Sequence, residues 1–307
     1  MIASAFAGSV VIFLLLRMVG GDIATVMLGT KATPESLAAI REAFGLNRSW
    51  PEQYFSWIAG VLRGDLGEAY TGQYVIGTEI AQRLEPTLIL TFGSLFVSIP
   101  IAVIVGVYSA VNFTRWRGVA VDVVAQVGLA IPQFFLALVL VIVFAVQLGW
   151  LPATGYVSIF IDPVEAIRSM VLPIATLSLG ITAVFTRFVR TSMIEQMNSD
   201  YMRTAKAKGR TIRSAAIIHG LRNSAIPIAT TGVLQIGALM AGSVVVENVF
   251  GIPGIGRLLL TSVMTREAIT VQSLALVILL IILGMNLLID VLYGFLDPRI
   301  RHKEARE

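Results

Sequence analysis

Residues 187–227 read RFVRTSMIEQMNSDYMRTAKAKGRTIRSAAIIHGLRNSAIP. From Arg187 to Arg222 there are eight basic residues against two acids, Glu195 and Asp200. Charge-free runs stand on either side, Ser169–Thr186 and Asn223–Val246. An apolar stretch of that length followed by a dense basic loop and a second apolar stretch is the pattern of two membrane spans joined by a loop on the positively charged side of a bilayer.

Composition agrees. Of 307 residues, 56% are hydrophobic and 14% charged, whereas soluble domains run near ~45–50% and ~25%. A water-facing surface of this size needs more ionised groups, so a soluble globular reading is disfavoured and the fold class expected is an all-α integral membrane protein. With no cysteine, a disulfide framework, a thiolate nucleophile and a cysteine-ligated metal are excluded. The two histidines, His219 and His302, cannot build a multi-histidine site. The net charge of +4 is read here as an inside–outside bias rather than as a nucleic-acid footprint, and no nucleic-acid partner is expected.

A membrane helix needs roughly 20 apolar residues, because ~30 Å of hydrocarbon is crossed at 1.5 Å per residue. The charge-free runs Met1–Leu16, Pro86–Thr114, Val123–Ile161, Ser169–Thr186, Asn223–Val246 and Ala268–Ile289 predict six spans near 2–19, 87–112, 119–148, 169–188, 225–248 and 271–295. Gly149, Trp150 and Pro152 end the third. With both ends on one side, that side carries 14 Lys and Arg residues and the other eight, which predicts cytoplasmic termini. Only sixteen uncharged residues precede Arg17, and no basic residue stands before them; we therefore expect the first span to be N-terminally short, with a natural start upstream of Met1. A cleaved signal peptide is the competing reading, but its basic n-region is missing too.

The predicted organisation is a first span over residues 1–19, an extracytoplasmic helical segment over 20–85, a membrane core over 86–296 with a cytoplasmic loop at 189–224, and a cytoplasmic tail over 297–307. In the 20–85 segment, Thr33-Pro34-Glu35 is a helix start, with a hydroxyl N-cap, proline at the first helical position and an acid near the positive dipole end. Leu37, Ile40 and Phe44 recur at helical spacing and Gly45 ends the run. A second helix is expected from Pro51 to about Arg63, with Tyr54, Trp57, Ile58 and Val61 on one side. These pieces should lie on the membrane or pack on each other, as a solvated cap or as a docking surface for a soluble partner.

In the basic loop, Asp200 can cap a short helix whose small residues Ala205 and Ala207 let another backbone approach closely, and Gly209 supplies the break. Such a helix below a bundle is shaped to be gripped by another protein. Here the chain resembles a known family. DYMRTAKAKG (Asp200–Gly209), LRNSAIP (Leu221–Pro227), VVVENVFGIPGIGRLL (Val244–Leu259) and LDPRIR (Leu296–Arg301) look like the motifs of a type I ABC importer permease, in the dipeptide/oligopeptide/nickel branch. Fainter likenesses are Gly21-Asp22, RGDLG (Arg63–Gly67) and LGWLPATG (Leu148–Gly155).

The resemblance covers nearly the whole chain and implies a MetI-like permease fold in a prokaryotic inner membrane. It implies three kinds of protein partner besides membrane lipid, namely a homologous second permease, two cytoplasmic ABC ATPases and an extracytoplasmic substrate-binding protein, with ATP and Mg held on the ATPases rather than on this chain. The family's coupling segment docks on the ATPase. By position it maps to Asp200, Tyr201, Met202, Arg203, Thr204, Ala205, Lys206, Ala207, Lys208 and Gly209, with Arg203-Thr204-Ala205 in the place of Glu-Ala-Ala. The arginine at the acid's position and the longer Gly209-to-Pro227 spacing are habits of the peptide branch. The implied cargo is a short peptide, with nickel or another small solute as the alternative.

No lysine follows a glycine anywhere in the chain, so a Walker A loop is missing and no ATPase site of its own is expected. Phe250, Pro253, Gly254 and Gly256 form a tight, backbone-exposed turn after span five, which the resemblance makes the outer loop at the mouth of the pathway. Glu247, an ionisable group at the outer end of that span, is the candidate lining residue, since such groups in spans cost about 2.5–3.5 kcal/mol on insertion scales. Asp290 lies near the inner end of span six and His219 in the cytoplasmic loop; both read as structural. An ion-coupled secondary transporter would need ionisable or unwound sites near the midplane within repeats, and here the acids sit at helix ends. A membrane hydrolase is disfavoured by the missing H-E-x-x-H and G-x-S-x-G signatures.

Overall fold

The computed structural model describes residues 1–19, 23–28, 32–43, 45–70, 74–197, 199 and 221–296. These residues form helices α1 (Ile2–Val19), α2 (Ile23–Leu28), α3 (Pro34–Ala43), α4 (Trp50–Leu62), α5 (Ile76–Val111), α6 (Trp116–Ala130), α7 (Gln133–Leu140, continued by a π-helical turn Val141–Gln147), α8 (Pro163–Met197), α9 (Leu221–Phe250), α10 (Ile255–Met264) and α11 (Ala268–Leu296). α5, α8, α9 and α11 are each long and apolar enough to cross a membrane; α1, over Ile2–Met18, is apolar but shorter.

The expected third span is not one straight helix. α6 and α7 meet at an angle of 98°, at Ile131-Pro132. Proline has no N–H for the helical ladder and its ring pushes the preceding residue out of the helical region. Ile131 accordingly sits at φ −76°, ψ 121° and Pro132 at φ −61°, ψ 136°. The pair is a broken span or a re-entrant hairpin, and Gly149, at φ 63°, follows its end.

The chain divides into two compact units. The first comprises residues 1–85 and 253–284. Its small helices start where the caps predict. The Ser36 N–H donates to Thr33 Oγ1 at 3.2 Å and the Thr33 N–H to Ser36 Oγ at 2.9 Å, a reciprocal cap. Gly45, at φ 62°, closes the far end, with the Leu46 N–H donating to the Arg41 carbonyl at 2.7 Å. At α4, the Ser49 N–H donates to the Glu52 carboxylate at 3.0 Å. The aromatic side of α4 packs on α1: Tyr54 meets Phe13 edge-on at 5.5 Å, Trp57 stacks on Phe13 at 6.3 Å, and the Tyr54 hydroxyl shares a 2.8 Å hydrogen bond with Ser9. Aromatic pairs in this geometry are favourable beyond their buried area. A second apolar cluster joins Ile76, Ile80, Ile255, Leu258 and Leu274.

The other unit comprises residues 86–252 and 285–307, of which 297–307 lie outside the described residues. Here α8 packs against α6, α7 and α9. Helices in lipid gain nothing from hiding apolar surface, so close van der Waals approach and small polar residues hold them together. A Cβ added at Gly106 would stand 2.7 Å from Val189 Cβ, and one at Gly93 2.7 Å from Ile174 Cδ1, so α5 and α8 touch through glycine. α5 also carries a buried hydroxyl stripe at Thr87, Thr91, Ser94 and Ser98. Ser98 Oγ donates to the Ser178 carbonyl at 3.1 Å and Ser178 Oγ to the Ser94 carbonyl at 3.3 Å.

Candidate functional site

The predicted coupling residues Asp200–Gly209 lie outside the described residues, as does His219. What is described are the helices that bracket them, α8 ending at Met197 and α9 beginning at Leu221, which pack on one another. Asp290 falls within α11, with its side chain outside the described part.

The outer-loop residues are described in full. Glu247 lies in the last turn of α9 and is fully buried. Its carboxylate accepts a 2.8 Å hydrogen bond from the hydroxyl of Thr87, itself fully buried. Glu247 thus ties the end of α9 to α5. Burying a carboxylate without hydrogen bonds would cost several kcal/mol, and a hydroxyl donor to a charged acceptor is among the stronger pairings available.

α9 then stops in a Schellman turn. The Ile252 N–H donates to the Glu247 carbonyl at 2.9 Å, and Gly251 between them has φ 67°, a conformation that costs other L-residues roughly 1–2 kcal/mol. Phe250 is buried, and its carbonyl accepts a 3.1 Å hydrogen bond from the Gly155 N–H. The stretches LGWLPATG and VVVENVFG, far apart in sequence, therefore meet at this turn. Pro253 is exposed, Gly254 is the extended residue that opens α10, and Gly256 is buried in the first turn of α10.

Thr87 is absent from the expectations above, although the hydroxyl spacing 87, 91, 94, 98 along one helical face is a signal for it.

Within the first unit a second buried carboxylate, Glu267, accepts the Tyr70 N–H at 2.9 Å. It precedes α11, where the helix dipole favours a negative charge. Burial pushes the Tyr70 phenol above its ordinary value, with the Arg17 cation opposing and the Glu267 carboxylate adding to it, so the phenol stays neutral at physiological pH. Ser273 Oγ donates to the Leu66 carbonyl at 2.8 Å, lacing the RGDLG stretch to α11. Among the described residues no group of three His, Cys, Asp or Glu side chains could hold a metal. The arrangement is one of helix ends fixed by carboxylate–donor pairs, suited to holding or moving helices as units.

Residues 88–302 match the family described as binding-protein-dependent transport system inner membrane component, and residues 2–90 match its N-terminal counterpart. The chain belongs to this family. It is 37% identical over 303 residues to the glutathione transport system permease protein of Escherichia coli, covering 99% of this chain and 96% of the relative. The protein of that name in Shigella dysenteriae is 36% identical over 303 residues, with the same coverage. A Brucella abortus protein named as a candidate peptide transport system permease is 34% identical over 294 residues, covering 96% and 94%. The permease is thus of the type I ABC importer class, peptide branch, as the motifs implied, and it is a multi-pass protein of the bacterial inner membrane.

Proposed function

We propose that this permease forms, with a homologous second permease, the membrane pathway for short peptides delivered by an extracytoplasmic binding protein. Two cytoplasmic ATPases drive it, holding ATP and Mg themselves. The chain crosses the membrane six times, with α1 and the α6–α7 pair each counted as a crossing and both termini in the cytoplasm. Residues 200–209 are the coupling segment gripped by an ATPase, and ATP-driven closure shifts the α8–α9 pair that brackets them. The Glu247–Thr87 pair and the turn through Phe250, Pro253, Gly254 and Gly256 form the outer end of the pathway, which the bundle moves as rigid helix ends. The chain performs no covalent chemistry of its own.

The observation that supports this most is the end-to-end likeness to a glutathione permease, 303 residues with 96% of the relative covered. Glutathione is a tripeptide, so a short-peptide cargo is favoured over nickel or another small solute. The test is affinity purification of the tagged permease in mild detergent from cells expressing the transporter's other subunits, comparing wild type with Gly209→Pro and Ala205→Glu. An ATPase should co-purify with the wild type and be lost from both variants while they remain monodisperse. No ATPase with the wild type, or full recovery with both variants, overturns the coupling assignment, and a proton- or sodium-gradient uptake assay then becomes the deciding one.

A further inference from the structure

In the unit formed by residues 86–252 and 285–307, a groove of about 420 Å³ lies between α5, α6, α7 and α8. α6 lines it with Ala120, Val121, Val124, Ala125, Gly128 and Ile131, a spacing of three and four that keeps to one helical face. Val124 and Ile131 are exposed, as is Leu179 on the α8 wall, so the groove is open at the surface of the bundle. Its polar side chains are two threonines, Thr182 and Thr186 of α8, and the remaining lining residues are apolar.

The dimensions narrow what can occupy it. From Ala120 to Ile131 the chain rises about 16 Å at the helical 1.5 Å per residue. One leaflet's share of a ~30 Å hydrocarbon core is ~15 Å. Just beyond Ile131, α7 turns off at 98° and closes that end with Leu136. The groove is therefore one leaflet long. A helix ~10 Å wide would fill about 1,250 Å³ over the same length, about three times the space present. The groove suits a single extended apolar chain, not a helix.

The open end carries charge. At 3.6 residues per turn, Arg117 falls at the middle of the α6 face that lines the groove, one turn before Val121. Arg190 stands one turn past Thr186 on the α8 wall and is engaged by Asp122 of α6 at 3.7 Å; Gln126 Nε2 also donates to Asp122, at 3.1 Å. Arg117 is exposed, with its guanidinium 5.7 Å from the centroid of the exposed Trp116 ring. Two arginines against one carboxylate leave this end cationic. Helical side chains lean toward the N-terminus of their own helix, so Arg117 reaches away from the hydrocarbon to headgroup level, where arginine and tryptophan meet anionic lipid. We propose that the groove seats one acyl chain of an anionic phospholipid whose phosphate pairs with Arg117. The lipid belongs to the leaflet that the α5–α6 turn faces, the cytoplasmic one under the topology proposed above. Its chain braces α6 against α5 and α8 below the bend.

The full-length permease, delipidated in mild detergent, is titrated with phosphatidylglycerol and phosphatidylcholine of the same acyl chains, and retained lipid is counted by native mass spectrometry. One phosphatidylglycerol per chain should be retained. Phosphatidylcholine, which has no net charge, should bind about fivefold more weakly, the effect of one basic side chain on an anionic lipid. Arg117→Gln should lower phosphatidylglycerol retention by about fivefold and leave phosphatidylcholine unchanged. A Cβ at Gly128 meets only Ala183 Cβ, at 3.8 Å, so Gly128→Leu fills the groove without forcing helices apart and should abolish the one-per-chain stoichiometry for both lipids. Ala125→Leu fills it from the neighbouring turn and should do the same, whereas Val123→Leu, exposed and off the lining face, should change nothing. Equal retention of the two lipids by the wild type, or a stoichiometry that survives both groove-filling variants, overturns the proposal. Loss of the lipid when the second permease is assembled onto the chain would make the groove an interface between permeases and overturn it as well. Binding in detergent has no sidedness and needs no ATPase, so its failure leaves the importer reading standing, and failure of the ATPase to co-purify leaves the lipid site standing.

Discussion

Replacing Thr87 by valine removes one hydroxyl while nearly conserving shape, so it isolates the hydrogen bond to Glu247. Both side chains are fully buried and the bond is 2.8 Å long. A hydrogen bond to a charged group contributes about 1.5–3 kcal/mol, most of which is the penalty of leaving the ion short of a donor. At about 2–4 °C per kcal/mol for chains of this order, Thr87→Val should lower the thermal midpoint in detergent by about 3–12 °C. Thr87→Ser keeps the hydroxyl and loses a methyl group, which costs about 1 kcal/mol. In a Glu247→Gln background the acceptor is neutral, and Thr87→Val should then cost only about 0.5–1.5 kcal/mol. The measurement is fluorescence-detected thermal unfolding of wild type, Thr87→Val, Thr87→Ser, Glu247→Gln and the Thr87→Val/Glu247→Gln double variant, with all but Thr87→Ser read as a double-mutant cycle. A Thr87→Val midpoint equal to that of Thr87→Ser, or a cycle with no coupling, refutes the claim that this pair fixes the outer end of α9.

Gly251→Ala should destabilise by about 1–2 kcal/mol because φ is 67° there and a Cβ in the left-handed region meets its own carbonyl; an unchanged midpoint would show that the turn is not held in that conformation. Gly106→Ala should be worse than Gly93→Ala in the same assay. The first sets a Cβ against Val189 Cβ at 2.7 Å and the Thr186 carbonyl at 3.0 Å, whereas the second meets the movable tip of Ile174. Equal midpoints would mean that the α5–α8 contact yields as easily at both ends.

Much of the fold was legible in the sequence because its causes are local. Hydropathy over ~20 residues is set by the chain segment itself, so the positions of α1, α5, α8, α9 and α11 could be read along with the basic loop between α8 and α9. The cap at Thr33 and the stop at Gly45 depend on neighbours within four or five positions and came out where the residues put them. Pro132 was equally local, yet the apolar run around it read as continuous. A proline's cost is paid by backbone geometry, which a hydropathy window does not register.

Of the candidate site, the sequence located Glu247 and the glycine-rich turn but not what Glu247 touches. Its partner, Thr87, lies 160 positions away, and no periodicity within either helix pairs them. The same holds for Phe250 and Gly155, for Tyr54 on Phe13, and for the two glycines through which α5 meets α8. Sequence alone determined that this is a helical membrane protein, which connecting segments are basic, and which family's motifs it carries. The tertiary structure decided which faces pair, because interhelical contacts in a membrane rest on close packing and buried hydrogen bonds between distant segments, and a uniformly apolar helix carries no face that a periodicity can reveal.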